Sequence, residues 1–190
     1  MQIGVYGYTD KRPVIYALLK LLQATGDVAL ISNNRHYKRL LEHGESQGHM
    51  ANIMIAISDA TPDEIFGEIG HSPDDFEHIV FDIQDTIPDD LTHIIYVKSY
   101  KPDEEEEAFL DLLGDYQVFK ITYDGKPERG AVNIQPTPLL WKTVENIEFY
   151  KVLYALPSKE LNMGVASLLT PSLNMPPKSS LTLLNRKWLR

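Results

Sequence analysis

Apolar residues in this chain fall into short continuous runs, separated by stretches where they recur every three or four positions. The first run, residues 2–6, is short and apolar, as a buried parallel strand is. A loop follows, Gly7-Tyr8-Thr9-Asp10-Lys11-Arg12-Pro13. Val14, Ala17, Leu18, Leu21 and Leu22 then recur at helical spacing. Pro13 fits the first turn of that helix, where a missing N–H costs nothing, and Gly26 ends it. Continuous runs at 27–32, 52–58, 78–83, 92–99 and 116–123 predict further strands, with a short seventh at 130–134. Between them, helices are predicted over 35–43, with Tyr37, Leu40 and Leu41 inside, and over 61–70, where Thr61 is the N-cap and Pro62 opens the first turn. A short helical segment is expected between the runs at 78–83 and 92–99, leading to an adjacent strand. Residues 102–114 read as a helix with an acidic start. Long helical periodicity covers 139–156, and 158–170 reads as another helix. Residues 171–180, rich in proline and serine, read as a linker before a short helix at 179–190.

Strands alternating with helices mean βαβ units. The expected fold is α/β: a mainly parallel six- to seven-stranded sheet with helices on both faces, in three Rossmann-like layers. It would occupy residues 1–170, with 171–190 as a linker and tail. In such sheets ligands bind beyond the carboxyl ends of the strands, so the loops after residues 7, 32, 58, 83 and 99 are the places for chemistry.

Composition narrows the choice. The 190 residues suit one domain, and a hydrophobic fraction of 43% supports an ordinary core. A net charge of −9 argues against a protein that coats nucleic acid. Cysteine is absent, which excludes disulfides, thiolate metal sites and cysteine nucleophiles. No apolar run approaches the roughly 18 residues that span a bilayer, and the N-terminus lacks a signal-peptide pattern. The expectation is a soluble cytoplasmic protein.

The loop 7–13 lies where many α/β proteins hold a phosphate. A working phosphate loop, G-x-x-x-x-G-K-[ST], uses glycines to aim backbone N–H groups at phosphate oxygens, lysine to reach the terminal phosphates, and Ser/Thr to hold magnesium. Here Gly7 is present, the second loop glycine is missing, and Pro13 stands near the Ser/Thr position. Two readings are open: a divergent phosphate site using Lys11 or Arg12, or an ordinary strand–helix turn with two solvated cations. In "DDFEHIVFDIQDTIPDDLTHIIYVKSYKP" (74–102), Asp82 ends a hydrophobic strand, three residues before Asp85. A carboxylate there can hold magnesium or orient a nucleophile; the alternative is a solvated strand-end acid.

That segment resembles the ParA/MinD group of P-loop ATPases, the deviant-Walker SIMIBI class. In that group a strand ending in Asp leads through a small-residue turn and a helical stretch to a strand ending in a Pro-containing loop. The resemblance places Asp82 on the family's magnesium-holding Asp and "VKSYKP" on the following strand and loop. It covers about residues 1–170 as an order of elements. The departures are the loop 7–13, Ser32-Asn33-Asn34 where the family has a strand-end Asp, and Asp82-Ile83-Gln84-Asp85-Thr86 where it has a Pro/Gly turn. Atypical members of the TadZ/CpaE type help to localise pilus machinery. The resemblance therefore implies a non-catalytic or weakly active relative, a localisation or scaffolding module needing no cofactor and working through a protein partner or homodimer. The alternative is an active ATPase with a divergent phosphate loop, in which Gly7, Lys11 and Arg12 hold Mg-ATP and Asp82 is the catalytic and magnesium-binding acid. A third reading is a small-molecule enzyme on a generic doubly wound sheet.

Three features lie outside that core. Among the six histidines, His36 and His43 share a helix face with His49 close by, while His78 and His93 fall on candidate neighbouring strands as hydrogen-bonding groups at the sheet's end. No metal-ligand spacing joins them. The acidic run 103–107 at a helix start is explained by the helix dipole, with partner binding as the alternative. In the tail, Leu181, Leu184 and Trp188 line one side of a helix, Arg186 and Arg190 face away and Lys187 flanks them. Tails of this kind in MinD-type proteins lie on membranes, which would put the protein at the inner face of the membrane. The other reading is docking on the protein's own core or on a second subunit.

Overall fold

The computed structural model describes residues 1–84, 86–98, 104–113, 116–123 and 128–169. Both parts of the predicted tail, 171–180 and 179–190, lie outside these residues, as do Asp85 and the loop "SYKP". Eight strands form one sheet: β1 (Gln2–Tyr6), β2 (Val28–Ser32), β3 (Gln47–Met50), β4 (Ile53–Ile57), β5 (His78–Asp82), β6 (His93–Lys98), β7 (Val118–Tyr123) and β8 (Ala131–Ile134). Their order is β3-β4-β2-β5-β1-β6-β7-β8, parallel throughout except for the antiparallel pairing of β3 with β4.

The helices are α1 (Arg12–Leu22), α2 (Pro62–Ile69), α3 (Glu104–Leu112), α4 (Pro138–Tyr150) and α5 (Lys159–Leu169). They cover the sheet on both faces. Ile3, Val5, Val28, Leu30 and Val80 point into one core, closed by α1, α4 and α5. Tyr6, Ala29, Ile31 and Phe81 point into the other, closed by Ile65 and Phe66 of α2 and by Phe109. Alternate residues of a strand face opposite sides, so continuous apolar runs such as Val28–Ser32 are the mark of a strand buried on both faces. No described helix is long and apolar enough to cross a membrane.

Several predicted elements differ from those observed. β3 escapes the hydrophobic pattern because it is a short edge strand, mostly exposed except for Met50. The segment 35–43 forms two 3₁₀ turns, Arg35–Leu40 and Glu42–Gly44, with Asn34 capping the first through its side chain. Tyr37, Leu40 and Leu41 are nonetheless buried as expected. No helix joins β5 to β6 among the described residues, and the two strands are not neighbours, since β1 lies between them. The long helix over 139–156 stops at Tyr150, where Lys151 turns left-handed at φ 52°. No helix or strand follows until α5, yet Leu153 and Leu156 still reach the core.

Candidate functional site

Gly7 positions the candidate loop. Its φ is +138°, and a side-chain Cβ there would lie 2.1 Å from the Val97 carbonyl oxygen, so only glycine lets the loop leave β1 so close to β6. A cavity of about 450 Å3 opens over this loop, bounded by Tyr8, Asp10, Lys11, Asn34, His36 and Gln84.

Lys11 does not point into solvent. It immediately precedes α1 and is only 5% exposed. Its ammonium lies 2.6 Å from Asp82 Oδ1 and donates to the Ile83 carbonyl at 2.6 Å. Asp82 is buried too, and its Oδ2 accepts a hydrogen bond from Ser32 Oγ at 2.8 Å. Ser32 Oγ in turn accepts from the Asn34 N–H. The start of α1 and the ends of β2 and β5 are thus tied by one chain of polar contacts. Two of the sequence candidates, Lys11 and Asp82, meet here, and they meet each other.

Arg12 turns away from them. Asp10 receives the Arg12 Nε and Nη2 in a fork, at 3.0 and 2.6 Å, and also accepts the Arg12 backbone N–H at 3.1 Å. That N–H belongs to the N-terminus of α1, which favours an anion. Here the anion is the chain's own carboxylate. The other arm, Nη1, donates to Glu148 Oε1 at 2.8 Å. Hydrogen bonding to Asp10 raises the Arg12 pKa above its ordinary value, with Glu148 adding to it against the cost of burial.

Glu148 is the group that the sequence reading missed. It is buried on α4 and takes contacts from Arg12, from the Tyr16 hydroxyl (3.0 Å), from His36 Nε2 (3.1 Å) and from Arg39 (3.5 Å). Burial, reinforced by the Glu148 charge, raises the Tyr16 pKa, so its hydroxyl stays a donor. A signal for Glu148 did exist. It shares the buried face of α4 with Leu140, Val144 and Ile147, and a carboxylate among apolar positions needs cationic partners.

Neither solvated cations nor a solvated strand-end acid describes this site, because Lys11, Arg12 and Asp82 are all held by protein partners. His78 and His93 lie at the opposite, N-terminal end of the sheet, His78 bonded to Thr25 Oγ1 and His93 to Thr92 Oγ1. Of the acidic run, Glu106 is buried rather than solvated. Among the described residues no group of three or more His, Cys, Asp or Glu side chains is placed to hold a metal ion.

Compared by sequence, the chain matches no protein-family model and no curated protein. Compared by structure, it is similar to the MinD cell division protein of Aquifex aeolicus, at a TM-score of 0.60 and 12% identity over 92% of this chain and 98% of that one. A plasmid partition protein of Borrelia burgdorferi B31 bound to AMPPNP superposes at 0.59, with 11% identity over 90% of this chain and 98% of the other. Another structure of a Borrelia burgdorferi plasmid partition protein gives 0.52 at 14% identity over the same shares. The fold is that of the MinD and ParA-like partition proteins. On this MinD/ParA-type fold, magnesium and nucleotide would call on a free lysine and a free strand-end acid. The residues present do not fit that demand as arranged. The lysine neutralises the acid, the helix N-terminus already holds Asp10, and Pro13 has no N–H to give.

Proposed function

We propose that this chain is a MinD/ParA-type fold used without nucleotide chemistry, as a localisation or scaffolding module that works by binding a protein partner or a second copy of itself.

 The observation that carries this reading is the self-liganded site: Lys11 stands beside Asp82 where a bound cation would, and Asp10 caps α1 where a phosphate would. Each charge that a magnesium-nucleotide would use is already balanced inside the chain. Binding one would mean breaking the buried Lys11–Asp82 pair and repartnering both charges with the ligand. The fold keeps its architecture because the ion pair and the Asp10 cap do the electrostatic work of a ligand.

The second reading, an ATPase with a rewritten loop, draws support from the cavity of about 450 Å3 over residues 7–12 and from AMPPNP in one Borrelia partition protein of the same fold. Thermal unfolding separates the two. A nucleotide at a hundredfold excess over its Kd would stabilise the protein by roughly 2.7 kcal/mol. The expected result is no shift in Tm with Mg-ATP, Mg-ADP or Mg-GTP. A shift that Lys11→Ala or Asp82→Ala removes would establish the ATPase reading instead.

A further inference from the structure

Phe149 and Tyr150 end α4 with their rings edge to face, centroids 4.9 Å apart, and stand 76% and 58% exposed. Beyond them no helix or strand forms until α5. Leu153 and Leu156 enter the core, while Val152 and Tyr154 stay outside. Four large apolar side chains are thus exposed within the six residues 149–154, and Phe149 lines a groove of about 640 Å3 bounded also by Lys38, Arg39, Leu41, Glu145 and Lys151. Aromatic residues concentrated in this way mark an interaction surface.

We infer that this face is covered, in the free protein, by the chain's own C-terminal segment, residues 179–190. Three observations favour that occupant. The first is reach: α5 ends at Leu169, and the 12 residues to Leu181 extend to about 40 Å. A domain of this size has a radius of gyration of only about 16 Å, and α5 and α4 both pack on α1. Tethering also gives the segment a high effective concentration, on the order of millimolar. The second is pattern: Leu181, Leu184 and Trp188 recur at the spacing of one helix face, an apolar stripe suited to an aromatic one. The third is charge. Residues 170–190 carry four cations and no carboxylate side chain, so the rest of the chain carries −13 against −9 for the whole. At the groove, Arg39 faces Glu148, Lys151 faces Glu42 and Lys38 donates to Ser46, and the exposed Glu145 is the carboxylate open to Arg186 or Lys187. A partner that binds the Phe149 face must first displace this segment.

Trp188 reports on the contact directly. The full chain has two tryptophans, so Trp141→Phe leaves Trp188 as the only emitter. The expected emission is blue-shifted, shielded from acrylamide and independent of protein concentration. Phe149→Asp, a change at an exposed site, should shift it to the red and expose it to quencher with Tm unchanged. Leu184→Asp, in the tail itself, should do the same. Emission of a fully solvated indole in the parent chain overturns the inference. So does shielding that survives Phe149→Asp, which places the tail elsewhere, or shielding that grows with protein concentration, which makes the occupant a second copy. A blue shift that appears only with phosphatidylglycerol vesicles assigns the tail to a membrane and overturns it as well. None of these readouts depends on nucleotide, so the outcome is independent of the function proposed above.

Discussion

Lys11 and Asp82 both sit among buried neighbours, where a charge without its partner is costly. Lys11→Met alone leaves a buried carboxylate held only by Ser32, and Asp82→Asn alone leaves a buried ammonium with one carbonyl. Each single change should therefore cost about 3–5 kcal/mol in urea unfolding. The double variant should cost far less than the two together, because it removes both charges at once. Simple additivity would show that the pair contributes little and that Lys11 is free to serve a ligand. This site was half legible in the sequence. Lys11, Arg12 and Asp82 stood out as residue types, but sequence spacing does not record that a lysine at the start of α1 turns inward to the end of β5. Asp10 passed unnoticed because a carboxylate two residues before a helix reads as an ordinary turn residue.

At the level of elements, Glu148 fastens three of them. It joins Arg12 and Tyr16 of α1 to His36 and Arg39 of the 3₁₀ turn after β2, from its own place on α4. Glu148→Ala would leave Arg12 half-paired and the Tyr16 hydroxyl buried without its acceptor, at a cost of about 2–4 kcal/mol. Hydrogen exchange should then rise first in α4 and in residues 35–40, with the central strands β1 and β5 still protected. Uniform exchange across the molecule would show that Glu148 does not govern these contacts. The elements themselves were largely readable. All seven strands expected from continuous apolar runs are present, and Thr61 caps α2 in a capping box with Glu64. What failed had physical causes. β3 buries too little to leave a pattern, and α4 and the irregular segment after it both present apolar residues to one core, so their joint periodicity imitated a single helix.

Across the whole molecule, the two ends of the sheet behave differently, and pH tests the end that holds no candidate site. His78 starts β5 close to the amino terminus of Met1 and to Glu77. Thr25 Oγ1 donates its own proton to the Leu22 carbonyl, so it accepts from His78 Nε2–H. That leaves His78 Nδ1 as a buried lone pair with no hydrogen-bond partner among the described residues. Protonation would place a positive charge and an unmet N–H there. Burial first, and the Met1 charge second, accordingly hold the His78 pKa below its ordinary value of 6.5. His93, at the start of β6, is lowered by the same two causes. The sign follows from proton counting: below pH 6.5 the unfolded chain binds protons that the folded chain refuses, so stability is full above that pH and falls beneath it. Between pH 7 and pH 5 the parent protein should therefore lose more stability than His78→Gln, measured by urea unfolding at each pH. Equal losses in the two proteins would show that His78 is protonated without penalty, and the acid sensitivity would then belong to other groups, His93 first among them.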